Sequence, residues 1–244
     1  MSDHVIIHIP HASITIHVEY RPDYNQHALP HELLVMTDWY CHELFAREAE
    51  MINMPVSRLV CDVERFRDDT DDTMSRQGVG LNYTHSSEGK VFRVFSPEKR
   101  QKIVQKYYDP HHARLTVATE KRLQQTGSCL IIDGHSFYPC PLPYELDQTA
   151  GRPDICIGTD DYHTSPVLTE KLTTFLRNNG LTVKTNSPFA GALVPIKYYQ
   201  REKSVQSIMI EINRRLYLTK NGEKTANFPH VKKLMTELIH LAAE

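Results

Sequence analysis

Apolar residues in this chain fall into short unbroken runs separated by stretches with helical spacing, the alternation expected of a largely parallel sheet covered by helices. Residues 5–9, Val-Ile-Ile-His-Ile, are rich in β-branched side chains and stop at Pro10, as a buried first strand does. Over residues 37–53, Cys41, Leu44, Phe45, Ala49 and Ile52 follow a helical period, with Thr37 or Asp38 as N-cap. Residues 56–61 read as a second strand, and residues 62–89 as a long charged, glycine-containing excursion of the kind that often carries function. Ser96 and Pro97 open a helical segment that runs to about Gln125 and is closed by Gly127, with a kink or break at Pro110. Residues 128–133 give the clearest central strand, which ends in Gly134-His135-Ser136. A proline-rich loop (139–153), a short strand (155–158), a helix (166–179) stopped by Gly180, a short extended piece (181–184) and a turn-rich segment (186–195) follow. A strand at 207–212 and an amphipathic helix at 228–243 complete the chain. No internal repeat or low-complexity linker interrupts it, so one α/β domain over residues 1–244 is expected.

Composition narrows the class. Of 244 residues, 40% are hydrophobic and 24% charged, too ordinary a balance for a disordered chain. With 28 Lys+Arg against 30 Asp+Glu there is no broad basic surface for a phosphate backbone, so nucleic acid is excluded as the expected partner. No window is long and apolar enough to span a membrane, and Met1 to Pro10 carries no secretory pattern, so a soluble, cytoplasmic protein is expected. Five cysteines without a CxxC pair read as reduced thiols. Histidine, with 14 residues, is the enriched type that supplies metal ligands and proton carriers.

In open α/β sheets the site lies beyond the carboxyl ends of the strands. Four polar segments follow apolar strands there: Pro10-His11-Ala12-Ser13, Asp62-Val63-Glu64-Arg65, Asp133-Gly134-His135-Ser136 and Glu211-Ile212-Asn213-Arg214. Their imidazoles, carboxylates and guanidiniums suit a catalytic zinc, which takes three nitrogen or oxygen ligands and leaves a position open. Each element also has an ordinary explanation: a hydrogen-bonded loop histidine, an outward-facing strand glutamate, a solvated acidic loop over residues 68–72. Glu211, inside the run Ile208-Met209-Ile210-Glu211-Ile212, is the costliest to explain away, because a carboxylate in an apolar strand must be paired, protonated or placed at a site. Arg65 suits a bidentate carboxylate clamp. Adjacent helical histidines such as His111 and His112 diverge by about a hundred degrees and do not chelate one ion, so His112 is read as a substrate contact. Ser136 lacks a nucleophile elbow, and no Walker or dinucleotide glycine loop is present.

These segments, together with Thr37-Asp38-Trp39, the run from Ser57 to Arg65 and Pro188-Phe189-Ala190-Gly191, resemble the N-formylglutamate amidohydrolase family, which is similar in its core to zinc carboxypeptidases. The resemblance spans nearly the whole chain. It implies a phosphorylase/hydrolase-like three-layer α/β sandwich with a mixed, mostly parallel sheet. It also implies hydrolysis of an N-acyl amide, in the type case N-formyl-glutamate to glutamate and formate, with histidine degradation as the setting. By the same resemblance His11 and His135 are the histidine ligands of one Zn²⁺. In carboxypeptidases a glutamate stands three residues after the first histidine; here that residue is Ile14, so the carboxylate ligand comes from elsewhere. Asp38 is the choice and Asp62 the reserve. Glu211 resembles the general base, and Arg65 the substrate-carboxylate clamp, assisted by Arg58 or Arg214. Glu64 stands where the family usually has Asn. The expected partner is a small acidic N-acyl amino acid, and the expected assembly a monomer or small homo-oligomer. Two other readings stand beside this one: a zinc deacylase or peptidase for another acyl or peptide-like amide, and a non-catalytic binder of small acidic ligands.

Overall fold

The computed structural model describes residues 4–244; Met1, Ser2 and Asp3, the start of the stretch read for a leader, lie outside the described residues. Its centre is a six-stranded sheet in the order β2-β1-β3-β6-β4-β5. The strands are β1 (Val5–Ile9), β2 (Glu50–Asn53), β3 (Cys129–Phe137), β4 (Ile155–Gly158), β5 (Val183–Thr185) and β6 (Val205–Asn213). β2, β1, β3 and β6 run parallel, β4 pairs antiparallel to β6, and β5 runs parallel to β4. The sheet is mixed and mostly parallel, as expected.

Alternation along the strands divides the interior into two layers. Val5, Ile7, Ile9, Leu130, Ile132, Ile208, Ile210 and Ile212 pack on one face against α2 (Cys41–Leu44), α5 (Pro166–Asn178) and α6 (Phe228–Ala242). On the other face Ile6, Ile131 and Val205 pack against Leu115 and Ala118 of α4 (Asp109–Thr126). Each such aliphatic side chain, fully buried, contributes roughly 1.5–3 kcal/mol, which makes β1, β3 and β6 the firmest part of the molecule. α3 (Pro97–Ile103) enters α4 through one π turn, Val104–Tyr108, which ends just before Pro110. The break expected at Pro110 is there because proline supplies no N–H to continue the ladder. Among the described residues no helix is long and apolar enough to cross a membrane.

Two expectations are overturned in the same region. Residues 37–53 do not form one helix: Thr37 ends α1 (Leu29–Met36) in extended backbone, and Tyr40, at φ 61°, precedes the single turn of α2. A left-handed residue cannot sit inside a continuous α-helix. Asp38 therefore lies in the link between α1 and α2. The second strand is Glu50–Asn53 instead of residues 56–61. That later run is buried in an irregular turn, where Val56, Leu59, Val60, Cys61 and Val63 face a third apolar cluster with Tyr24, Leu81 and Tyr83. Hydrophobicity marked the burial correctly, but a polar edge strand carries no such signal.

Candidate active site

The strand register gathers the polar side chains on the α4 face at the carboxyl end of the central strands. β1 sets His8 beside Asp133 of β3, and β6 sets Glu211 beside His135. His11 follows β1 directly, and its carbonyl accepts from the Asp38 backbone N–H at 3.0 Å, which fastens the α1–α2 link to the end of the strand. Gly134 lets the opposite, aliphatic face close behind these residues, because a Cβ there would lie 2.7–2.9 Å from Ile9 and Phe45. Above the residues opens a cavity of about 470 Å³ lined by His11, Asp38, Glu64, His135, Glu211, four arginines (58, 65, 152 and 214) and the aromatic rings of Phe137, Tyr138, Tyr144 and Phe189.

His11 and His135 stand with ring centroids 5.0 Å apart. A carboxylate can only accept, so the nearest contacts assign the ring protons. His11 donates from Nε2 to Asp62 Oδ1 at 2.9 Å, and His135, with a carboxylate on each edge, donates from Nε2 to Asp133 Oδ1 at 3.0 Å and from Nδ1 to Asp38 Oδ2 at 3.1 Å. Both Nδ1 edges approach one oxygen: Asp38 Oδ2 lies 3.7 Å from His11 Nδ1 and 3.1 Å from His135 Nδ1. His11 Nδ1 is buried and has no hydrogen-bond partner. Donors about 2.0–2.2 Å from a tetrahedral ion stand about 3.3–3.6 Å apart, so the His11 separation is slightly longer than such an edge and the His135 contact slightly shorter, a hydrogen-bond length. Nitrogen and oxygen donors with one orphaned nitrogen suit a divalent cation, but Asp38 is not in the residue sets whose donor atoms all lie within 4.8 Å of one another.

Glu64 offers a second carboxylate on the other edge of the pair, with Oε1 3.2 Å from His135 Nε2 and Oε2 3.8 Å from His11 Nε2. Among the described residues, His11, Glu64 and His135 place donor atoms within 4.8 Å of one another, and so do His8, Glu64 and Asp133. Sequence reasoning places Glu64 where the family usually has Asn and Asp133 in the polar strand-end segment where a carboxylate can orient His135, but does not single out His8.

The charges are tightly interlocked. Burial alone would push the Asp38 carboxyl up, but the hydrogen bond from His135 and the charge of both imidazoles hold it well below the usual range. Burial likewise opposes the charged form of His135, yet Glu64 and Asp133 raise its pKa well above that of free histidine. Glu211 behaves the opposite way: burial, reinforced by Asp38 and Glu64, pushes it up to about 7. Its Oε2 is buried without a partner, an uncommitted carboxylate in the cavity wall.

The remaining candidate residues divide by what occupies their polar atoms. Arg65 lines the cavity with its Nε unpartnered, 4.0 Å from Asp62. Arg58 donates from Nε and Nη2 to Asp62 Oδ2 at 3.2 and 2.8 Å, which leaves only part of its fork for a ligand. Arg214 is committed to the protein: it donates to Asp38 Oδ1 at 3.0 Å, to the Ser136 hydroxyl and carbonyl, and to the Val35 carbonyl. Its ion pair holds Asp38 in place, and its side chain also lines the cavity. Asp62 does not line the cavity, since His11, Arg58, the Tyr83 hydroxyl and the Glu64 backbone N–H consume its lone pairs. His112 also turns away, with Nε2 against the Val63 carbonyl at 2.8 Å, while its neighbour His111 reaches the buried group.

Residues 3–218 match the model of the N-formylglutamate amidohydrolase family. The chain belongs to this family. Among solved structures it is similar to an N-formylglutamate amidohydrolase from Ralstonia eutropha, with a TM-score of 0.84 and 21% identity over 98% of this chain and 92% of that one. A gene product of Agrobacterium tumefaciens is similar with a TM-score of 0.65 and 19% identity, over 99% of this chain and 92% of that one. A search of curated proteins found no match. For this amidohydrolase the shared fold extends over the whole sheet and the segments that bear His11, Asp38, His135 and Glu211.

Proposed function

We propose that this amidohydrolase removes the formyl group from an acidic N-formyl amino acid such as N-formyl-glutamate, with one divalent ion held by His11, Asp38 and His135. Mixed nitrogen and oxygen donors in a three-residue set favour Zn²⁺. The observation that carries the reading is the convergence of two Nδ1 atoms on Asp38 Oδ2, beside a Glu211 carboxylate that has an unpaired oxygen. The Nε2 protons donated to Asp62 and Asp133 hold both rings with Nδ1 toward Asp38, the carboxylate–histidine pairing that supports metal ligands, and an ion bound there would take the place of the His135 Nδ1 proton. An ion bound there acts as a Lewis acid, acidifying water and polarising the scissile carbonyl.

The protein's own groups then divide the remaining work. Glu211, ionised, takes a proton from the attacking water and returns it to the amide nitrogen as the C–N bond breaks. Its raised pKa makes it a competent donor in the second step near neutral pH. Arg65, with Arg58 beside it, binds the substrate carboxylate and thereby fixes the position of the amide. Phe137, Tyr138 and Phe189 wall the cavity and reduce competing water. Chelator-stripped and metal-reloaded variants test the assignment by metal content and by formate release. His135→Ala should lose metal and turnover together, Glu211→Gln should keep the metal and lose turnover, and Glu64→Gln should keep the metal. A His135→Ala protein with full metal content and normal turnover would contradict it.

A further inference from the structure

Behind the site lies a buried polar chain that the proposed reaction does not use. His8 occupies the middle of β1 with no exposure, between Ile7 and Ile9, where a valine or isoleucine would satisfy the fold. Both its nitrogens are engaged: Nδ1 is 2.8 Å from Asp133 Oδ1 and Nε2 is 2.8 Å from His111 Nε2. Asp133 Oδ1 is also the acceptor for His135 Nε2 at 3.0 Å. The acceptor at one end gives the chain a direction. Asp133 accepts from His8 Nδ1–H, so a neutral His8 has a lone pair at Nε2, and His111 donates its Nε2 proton to it. His111, at the first turn of α4, thus bonds to His8, and His8 and His135 meet on one oxygen of Asp133.

We infer that His8 and His111 are positioning residues: acting through Asp133, they fix the ring of His135 with Nδ1 turned toward Asp38, and so set metal affinity. The inference rests on the metal reading above. The geometry favours hydrogen bonds over a second cation between His8 and Asp133. Their separation of 2.8 Å is a hydrogen-bond length, shorter than the edge of about 3.3–3.6 Å between ligands of a tetrahedral ion. Released from His8, the Asp133 carboxylate is free to rotate, and His135 loses a fixed acceptor for its Nε2 proton. Outer contacts of this kind typically govern about 10–100-fold in metal affinity.

The test compares His8→Val, which removes both ring nitrogens but suits a buried strand, with His8→Asn, whose amide N–H sits near the place of Nδ1 and keeps a donor to Asp133. His111→Leu breaks the outer link alone. Co²⁺ affinity is measured on the full chain by competition with a chelator, and the visible spectrum of the Co²⁺ form reports ligand geometry. His8→Val should bind one ion about 10–100-fold more weakly with a shifted spectrum. His8→Asn should recover most of the affinity and the wild-type spectrum. His111→Leu should fall between them. Wild-type affinity and spectrum in His8→Val overturn the inference; if that variant does not fold, wild-type affinity in His111→Leu overturns it. Two ions per wild-type chain, falling to one in His8→Val, would also overturn it, by making His8, Glu64 and Asp133 a cation site. One ion per wild-type chain with no difference among folded variants defeats this inference alone, whereas no ion in the wild type defeats the metal reading as well.

Discussion

Two carboxylates a few ångströms apart take opposite roles because their surroundings differ. Asp38 faces two imidazoles and Arg214, which hold it ionised, whereas Glu211 sits in the wall of an apolar strand with one oxygen unpaired. Burial stabilises the neutral carboxyl of Glu211, so the fraction able to accept a proton rises with pH through a midpoint of about 7. A cation nearby stabilises the ionised form and lowers that value. The acidic limb of kcat/KM should therefore lie between the ordinary 4.5 of glutamate and about 7, with activity rising through it as pH increases. A rate profile flat across that interval contradicts Glu211 as the base. Glu211→Gln should lower kcat by about 10²–10⁴-fold. Arg65 differs from Arg58 and Arg214 because its Nε has no protein partner. Loss of a charged hydrogen bond of about 1.5–3 kcal/mol should raise KM for N-formyl-glutamate about 10–100-fold in Arg65→Ala, with a smaller effect on kcat. An equal KM in steady-state assays would remove Arg65 from substrate binding.

At the scale of elements, the parts legible in the sequence were those whose burial dictates composition. Continuous aliphatic runs located β1, β3 and β6, and with them His11, His135 and Glu211 at the strand ends, because a strand covered on both faces leaves few alternatives. Glycine and proline located the ends of α4 and α5. β2 and α1 were not legible: one is a polar edge strand, and the other sits before a link whose left-handed Tyr40 leaves no mark in residue type. The same limit applied within the site. Partner geometry decides that Arg214 holds Asp38, that His112 turns to a backbone carbonyl, and that His111 joins the buried chain, and none of these follows from spacing. Gly134 ties element packing to chemistry. In Gly134→Ala the new Cβ meets the buried Phe45 ring 2.8 Å away, so β3 or α2 must shift. The expected cost is about 1–3 kcal/mol in urea unfolding, with weaker metal binding as Asp133 and His135 move. Unchanged stability would mean that the layer is looser than its packing indicates.

For the whole molecule, the two faces of the sheet have separate tasks. The α2, α5 and α6 face is aliphatic and anchors the strands, while the α4 face carries aliphatic packing at one end and a cluster of buried or half-buried ionisable groups at the other. This division lets a rigid core support a costly cluster of charges without adding polar groups to the anchoring face. The cluster holds more carboxylates than free cations, and a divalent ion would offset that imbalance. The most direct test is formate release from N-formyl-glutamate as Zn²⁺ is titrated into chelator-stripped protein. Activity should be absent at the start, rise in proportion to added ion and level off at one ion per chain. Full formate release from the stripped protein, or none at any loading, would contradict the account.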